Sequence, residues 1–240
     1  MAIGVMRVLL WNCNNGLSKQ SQLSYFHSFA PDLAIIPELK QDNINLLSPS
    51  SSIWVTNNHN NSRPKGLGVL GFNNVTLTKL PADDEMEIFL PINVQFKNHS
   101  FSLLAVWNFY WASKQGRFKG LKGEDALEYS ALRHYLPLLK QPLLIAGDWN
   151  LGPTFAQDAF LKICSMVEEY GLKSLYHQIY DLDESETQHN TFKSTRKTFH
   201  HLDQVFGCFF FQQAIQSIEI PDFDEVVLSD HAPVCSVFKF

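Results

Sequence analysis

The order of apolar segments along this 240-residue chain constrains its fold more than any other feature. Near both ends, short apolar runs alternate with helix-like segments, and between them lies a series of β-like runs separated by turn residues. This order predicts an α+β fold in which two packed sheets are flanked by helices. Because the sequence shows no internal repeat or linker, we expect residues 1–240 to form a single domain.

The individual elements follow from apolar periodicity and from turn residues. Asn73-Asn74 and Lys97-Asn98-His99 are predicted hairpin turns, because Asn tolerates a positive φ. Predicted helices lie between Ser18 and Pro31, over Glu124–Leu136 and over about 154–170. Predicted strands are Val5–Trp11, Leu33–Pro37, Leu67–Phe72, Val75–Leu80, Ile88–Phe96, Phe101–Trp107, Pro142–Ala146, Leu202–Phe206, Ala214–Ile220 and Val234–Phe240.

The formal net charge of -5 gives the chain no general attraction to a polyanion such as nucleic acid. Local charge has to supply it, and nine of the 19 Lys and Arg residues fall in three short segments. An ordinary solvated surface explains these segments equally well. They contain Arg63 and Lys65; Lys114, Arg117, Lys119 and Lys122; and Lys193, Arg196 and Lys197.

The four cysteines are widely spaced and show none of the spacings of a metal site, which is typical of a reducing compartment. The first ten residues lack the long apolar run of a leader segment. No stretch approaches the ~18 to 20 apolar residues that a membrane helix requires. We therefore expect a soluble, cytoplasmic protein that does not associate with a membrane.

Polar side chains stand at the ends of several predicted strands. Glu38 directly follows the apolar run Leu33–Pro37, where an unpaired carboxylate would be costly to bury without a cation. Asp148 and Asn150 follow the apolar run Pro142–Ala146 in the same way. Hydrolysis of a phosphodiester needs charge neutralisation and an activated water, and Mg²⁺ prefers carboxylate ligands. Each motif alone is as typical of a solvated acid or a turn.

Two further groups lie near strands in the last third of the chain. Asp203 opens an apolar strand, and Ser229-Asp230-His231 precedes the last one. Asp203 is placed to hold the imidazole of His231 and to favour its charged form. A lone acid at the end of a strand more often caps a turn, so the prediction depends on all these groups occurring together.

Six short motifs occur in one order along the chain: Trp11-Asn12-Cys13-Asn14, Pro37-Glu38-Leu39-Lys40, Lys65-Gly66-Leu67-Gly68-Val69, Gly147-Asp148-Trp149-Asn150, His201-Leu202-Asp203 and Ser229-Asp230-His231. In these motifs the chain resembles the endonuclease/exonuclease/phosphatase superfamily over nearly its whole length. The resemblance implies a four-layered α/β/β/α sandwich of two mixed sheets with the site at one edge of both. It also implies phosphodiester hydrolysis with Mg²⁺, or alternatively Mn²⁺, as cofactor.

The resemblance further implies a role for each matching residue. Asp148 would orient or deprotonate the attacking water, Asn150 would hold a phosphate oxygen, and Asp203 would pair with His231, whose imidazolium stabilises the transition state. The implied metal ligands are Asn12, Glu38 and Asp230. The implied substrate contacts are Asn14, Trp107, Asn108, His201, Lys65 and Arg117.

The chain departs from the family pattern at two of these positions. Asn14 stands where repair enzymes often have an acid, which puts a second metal site in doubt. Trp107 stands where the family has Tyr or His, and an indole has no titrating proton to give. We therefore assign help for the leaving group to His231, Tyr110 or a water on the metal.

Four of the candidate substrate contacts can equally be structural residues. His201 would share a strand face with Asp203 and touch substrate, or else be a structural histidine. The aromatic residues Trp111, Phe118 and Phe199 would stack on unpaired bases, or else belong to the core.

Three functions fit these residues. The first is a DNA or RNA endonuclease. The second is a phosphatase or phosphodiesterase acting on a small phosphorylated molecule or a lipid headgroup, for which a negative net charge is no handicap. The third is an inactive binding module, although the intact acidic positions argue against it. The sequence leaves open DNA or RNA, endo or exo cleavage, the number of metal ions, the oligomeric state and any protein partner.

Overall fold

The computed structural model describes residues 4–14, 17–56, 64–86, 88–108, 116–223 and 228–240. Its α-helices in these ranges are α1 Gln20–Ser28, α2 Ile44–Leu47, α3 Leu127–Tyr135, α4 Gln157–Glu168, α5 Leu175–Tyr180 and α6 Phe209–Ala214. Its strands are β1 Val5–Leu10, β2 Leu33–Lys40, β3 Ser51–Val55, β4 Lys65–Gly71, β5 Thr76–Lys79, β6 Phe89–Phe96, β7 His99–Trp107, β8 Leu143–Asp148, β9 Lys173–Ser174, β10 Phe192–Lys193, β11 Phe199–His200, β12 Asp203–Gly207, β13 Ile215–Glu219 and β14 Val234–Lys239.

The strands form two six-stranded sheets and a small hairpin of β10 and β11. The first sheet has the order β13-β14-β1-β2-β4-β3, and the second has the order β5-β6-β7-β8-β12-β9. Each sheet contains one parallel pair, β1 with β2 and β7 with β8, and its other described pairs are antiparallel. A helix connects the two strands of each parallel pair, as such a crossover requires.

The alternation of side chains in the first sheet separates two apolar layers. In β1, Val8 and Leu10 face the large core that also holds residues of the second sheet. Leu9 and Trp11 face the opposite way, into a smaller cluster with Phe26 of α1. Because successive side chains of a strand point to opposite faces, the first sheet packs against α1 on one side and against the second sheet on the other.

The outer face of the second sheet is covered by helices α3 and α4, which contact each other. The ring of Phe160 in α4 lies 6.5 Å from that of Phe206 in β12. Helix α6 contacts β12 of the second sheet and β14 of the first. The layers therefore run helix, sheet, sheet, helices, so the predicted four-layered α/β/β/α sandwich is confirmed.

Most of the predicted elements are present, but one predicted hairpin is wrong. Asn73 and Asn74 both have a positive φ and form the expected turn. The strands on either side of it, β4 and β5, nevertheless belong to different sheets. The turn over Lys97 does join a hairpin, since Phe96 pairs with His99.

Two other expectations concern the whole molecule. The four cysteines are buried and free, and the reducing compartment stays a prediction. Within the described ranges, no helix has the length and apolar character needed to span a membrane. That residues 1–240 form one domain stays a prediction.

Candidate active site

The strand topology brings the polar strand ends to one edge of both sheets. Asn12 follows β1, and Glu38 lies near the end of β2, the parallel partner of β1. Asp148 is the last residue of β8. Asp203 begins β12 and pairs directly with Asp148, because these two strands are antiparallel. His231 precedes β14, whose first residue pairs with the last residue of β1.

Three of these residues form a buried chain of charged groups. Nδ1 of His231 donates to Oδ2 of Asp203 over 2.8 Å, and Nε2 of His231 lies 3.9 Å from Oδ2 of Asp148. Each side chain is no more than 5% exposed. The imidazole therefore lies between two carboxylates in surroundings that screen charge only weakly.

Burial and these neighbours shift the pKa values of Asp148 and His231. Burial, reinforced by the nearby Asp203 carboxylate, raises the pKa of Asp148 to about 7. Burial alone would lower the pKa of His231, but the carboxylates of Asp203 and Asp148 outweigh it and raise that pKa to about 9. At neutral pH His231 is therefore an imidazolium, and Asp148 is poised to take up or release a proton.

Asn12 links the buried group of Asp203, His231 and Asp148 to Glu38. Its Nδ2 donates to Oδ2 of Asp148 over 3.0 Å and to Oε1 of Glu38 over 3.4 Å. The pairing of β2 with β4 is irregular between Ile36 and Leu39, and Glu38 has a φ of 61°. This bulge turns the Glu38 carboxylate toward the edge, where its Oε2 lies 2.5 Å from the ammonium of Lys65.

Amide groups hold the neighbouring loops. The backbone N–H of Asn150 donates to Oδ1 of Asp148 over 3.0 Å, and its Nδ2 donates to the Asn108 carbonyl over 2.8 Å. In return, Nδ2 of Asn108 donates to the Trp149 carbonyl over 3.0 Å. Asn14 contributes its backbone N–H, which donates to Oδ1 of Asn12. The amide oxygen of Asn12 is thus turned away from the acids in this structure.

Three residues that position the site were not predicted. Nε1 of Trp11 donates to the His231 carbonyl over 3.0 Å, and Oγ of Ser229 donates to the Asn12 carbonyl over 2.8 Å. Oγ1 of the fully buried Thr191 accepts from the N–H groups of Leu202 and Asp203. Trp11 and Ser229 belong to the motifs named above, but neither had an assigned role, because their contacts join segments more than 200 residues apart.

Two predicted substrate contacts need correction. His201 has no exposed surface; its Nδ1 is 3.0 Å from the His189 carbonyl, and its ring lies 4.2 Å from that of Tyr176. The predicted shared face fails because β12 begins only at Asp203. Trp107 is also buried and lies in the main core. Neither side chain is placed to reach a substrate.

The remaining predicted residues are placed less centrally. The carboxylate of Asp230 lies outside the buried group of Asp148, Asp203 and His231, and its Oδ1 accepts from Ser229. Arg117 forms ion pairs with Asp83 and Glu85. Phe118 is buried and packs against the guanidinium of Arg117, whereas Phe199 is 41% exposed. The predictions for Arg63, Tyr110, Trp111 and Lys114 fall outside the described residues.

The oxygen atoms at this edge fit a hard divalent cation such as Mg²⁺. Ligand atoms of Asp148, Asp203 and His231 lie within 4.8 Å of one another. Oδ1 of Asp203 is buried and has no hydrogen-bond partner within the described part of the chain. The charged His231 has no lone pair to offer, so the carboxylates, including Glu38 beside Asn12, are the groups that suit a metal.

The buried His201 predicts an effect of pH on stability. Burial lowers the pKa of His201 to about 3, whereas an imidazole in the unfolded chain titrates near 6.5. Between these values the unfolded chain binds a proton that the folded chain does not. We expect the contribution of His201 to the free energy of unfolding to fall as the pH falls from about 6.5, by up to about 1.4 kcal/mol per pH unit, while the raised pKa of Asp148 acts in the opposite sense.

Urea unfolding at several pH values measures this slope. His201→Gln should flatten it, although His177, whose pKa burial also lowers, keeps part of it. His27→Gln is the matched control, because His27 is exposed. An unchanged slope in His201→Gln would contradict the assignment.

Comparison with known proteins gives structural matches only. No model of a known protein family matches the sequence, and no curated protein matches it. The AP endonuclease LMAP from Leishmania major is 15% identical and superposes with a TM-score of 0.71 over 98% of this chain and 88% of that one. The 3′ phosphatase NExo from Neisseria, bound to a product DNA hairpin, is 16% identical with a TM-score of 0.70 over 98% and 100%.

A third structure carries the family name that the sequence motifs suggest. It is an endonuclease/exonuclease/phosphatase family protein from Leptotrichia buccalis, 11% identical, with a TM-score of 0.63 over 98% of this chain and 100% of that one. Identities this low establish the fold alone. The chain has the fold of the endonuclease/exonuclease/phosphatase superfamily.

Proposed function

We propose that this chain is a Mg²⁺-dependent phosphodiester hydrolase, with Mn²⁺ as the alternative ion, and that it acts as an endonuclease on DNA or RNA. The observation that carries the proposal is the buried chain Asp203–His231–Asp148 beside Glu38, at the edge where both sheets end. In-line attack of water on a phosphodiester needs a base, a fixed positive charge and ligands for a metal ion. This edge supplies all three.

Asp148 acts on the attacking water. Its raised pKa of about 7 matches neutral conditions, where a carboxylate is an efficient proton acceptor. Asn12 and the N–H of Asn150 each hold one of its oxygens, so the carboxylate cannot rotate freely. As the water oxygen bonds to phosphorus, the water proton passes to Asp148.

His231 acts on the charge that develops during this step. Asp203 holds the Nδ1–H, which fixes the ring and leaves Nε2–H on the side of Asp148. As the bond from phosphorus to the leaving oxygen breaks, the imidazolium stabilises the phosphoryl oxygens and supplies its Nε2 proton to the leaving oxygen. Trp107 is buried and takes no part in this transfer.

Glu38, with Asn12 beside it, would hold the metal ion, and Lys65 is the counter-charge of Glu38 that the ion would replace. When bound, the ion neutralises charge on the phosphoryl oxygens. Asn12 keeps the two carboxylates together on either side of its Nδ2. Carboxylates alone, without a cation, would repel an anionic substrate.

A basic hairpin beside His231 favours nucleic acid as the substrate. Phe192 forms a β-bridge with His231, and their rings are 4.8 Å apart. From there the hairpin carries Lys193, whose ammonium lies 5.3 Å from the Phe199 ring centre, and the exposed Arg196 and Lys197. Cations and an exposed aromatic ring next to a catalytic group suit a phosphate backbone with unpaired bases. The DNA-processing proteins among the structural matches support the same substrate class.

A phosphatase or phosphodiesterase for a small phosphorylated molecule or a lipid headgroup is the second candidate. The net charge of -5 favours it, because a small substrate needs no extended basic surface. The same site would perform the same chemistry on it.

Incubation of the protein with plasmid, single-stranded DNA, RNA and inositol phosphates tests the proposal. Each substrate is offered with Mg²⁺, with Mn²⁺ and with EDTA. We expect nicking or strand cleavage with a metal ion and none with EDTA. Phosphate release from inositol phosphates alone would favour the second candidate. Failure to hydrolyse any ester with either ion would leave the inactive binding module as the explanation.

A further inference from the structure

A cavity of about 510 Å³ opens beside the proposed catalytic loop. Its wall on the catalytic side is formed by Asn108 and Asn150, which are joined by the hydrogen bonds between their side chains and the neighbouring backbone. Because Asn150 also donates to the Asp148 carboxylate, the cavity begins two residues from the proposed base. The cavity therefore adjoins the loop that holds the proposed base.

The rest of the lining combines an apolar face with two charges. Leu151 and Phe155 supply the apolar face, and the Phe155 ring is 48% exposed. Lys122 and Glu128 supply the charges. The volume falls within the range of about 300–1,000 Å³ that is usual for small-molecule sites. A flat aromatic ring with polar edges suits such a lining.

Glu128 is the unusual member of this wall. It lies in the first turn of α3 and is only partly exposed, and no residue in the described ranges forms an ion pair with it. Burial raises its pKa. A helix dipole favours an acid in the first turn, but this does not account for its place in a cavity wall. A carboxyl group that is partly removed from water, and that in the described ranges accepts only from its own N–H, is stabilised by a ligand that donates hydrogen bonds.

Resting on the proposed function, we propose that this cavity is a specificity subsite that binds the nucleobase next to the scissile phosphate and prefers guanine through Glu128. Guanine presents two adjacent donors, N1–H and the 2-amino group, which match the two oxygens of one carboxylate. Lys122, which lines the same cavity, offers a donor for its O6 acceptor. Uracil and thymine offer one N–H between two carbonyl oxygens, which a carboxylate repels. Leu151 and Phe155 pack on the ring face.

Calorimetric binding of nucleoside monophosphates tests this subsite, with Ca²⁺ in place of Mg²⁺ so that a cation offsets the carboxylates while turnover is suppressed. We expect GMP to bind at least about tenfold more tightly than UMP, since a bidentate contact discriminates by that order. Inosine monophosphate lacks only the 2-amino group and should bind several-fold more weakly than GMP. In Glu128→Gln the preference for GMP over UMP should fall close to one.

Glu124→Gln is the matched control, because Glu124 is exposed and pairs with Lys162. It should keep the wild-type preference. Equal binding of GMP, inosine monophosphate and UMP to the wild-type protein would overturn the subsite without any variant. A full preference in a folded Glu128→Gln, checked by circular dichroism, would overturn the role of Glu128.

Hydrolysis of bis(p-nitrophenyl) phosphate by the wild-type protein with Mg²⁺ separates this inference from the proposed function. Hydrolysis of this base-free ester without a GMP preference would overturn the subsite and support the function. A GMP preference without hydrolysis of any ester would support the subsite and contradict the function.

Discussion

Asp148→Asn should lower kcat for phosphodiester hydrolysis by about 10²- to 10⁴-fold, the usual contribution of a positioned base. Asparagine has the same shape as aspartate and keeps an oxygen that can accept from the N–H of Asn150. It has no charge, so it cannot take the proton of the attacking water. The loss should therefore appear in kcat, measured with Mg²⁺ on a single-stranded oligonucleotide.

Asp158→Asn is the control for this variant, because Asp158 is an exposed acid in the first turn of α4. It should keep activity within about twofold, since a single exposed helix charge has only a small effect. Circular dichroism establishes that both variants are folded. An Asp148→Asn protein that is folded and retains more than a tenth of the activity would contradict the role of Asp148 as the base.

We expect Gly147→Ala to lower the free energy of unfolding by roughly 3 kcal/mol, a large effect for one methyl group. Gly147 lies in β8 between two paired strands, opposite Val106 on one side and Gln204 on the other. A Cβ at this position would overlap the carbonyl oxygen of Val106. Strands β7 and β8 must separate to admit it, which also displaces Asp148, the next residue.

Urea unfolding of Gly147→Ala and of Gly171→Ala separates the steric effect from the general cost of replacing glycine. Gly171 has a φ of 75°, and a Cβ built on it meets nothing within 4 Å. Its substitution should cost about 1 to 2 kcal/mol, the strain of a left-handed residue that carries a side chain. If Gly147→Ala costs no more than Gly171→Ala, the close approach of β7 and β8 is not the reason for glycine at position 147.

The centre of the site could be predicted from the sequence because its residues mark the ends of strands. Glu38 and Asp148 each follow an apolar run. Each run lies in one strand of a parallel pair, β2 with β1 and β8 with β7, and the ends of both pairs meet at one edge. The residues and the family resemblance both predict that Asp203 holds the imidazole of His231, and Oδ2 of Asp203 lies 2.8 Å from Nδ1 of His231. At these positions the sequence pattern marks the end of a strand, and the sheet topology brings those ends together.

Other features depend on information that no local pattern carries. The turn at Asn73-Asn74 is evident from its residues, but those residues do not determine which sheet the next strand joins. Strand β3 is only partly buried, so its apolar signal is weak. The pairing of Lys65 with Glu38 depends on the irregular register of β2 with β4. The burial of His201 depends on where β12 begins.

The place of β14 in the first sheet has a consequence for how the protein matures. Strand β14 lies between β1 and β13, so Trp11 and His231, 220 residues apart in sequence, meet only when this ladder has formed. Contacts between such distant segments form late and slowly, because a long loop must close first. A partly folded chain therefore keeps Asn12 and Glu38 apart from His231, and the proposed hydrolysis requires the completed first sheet.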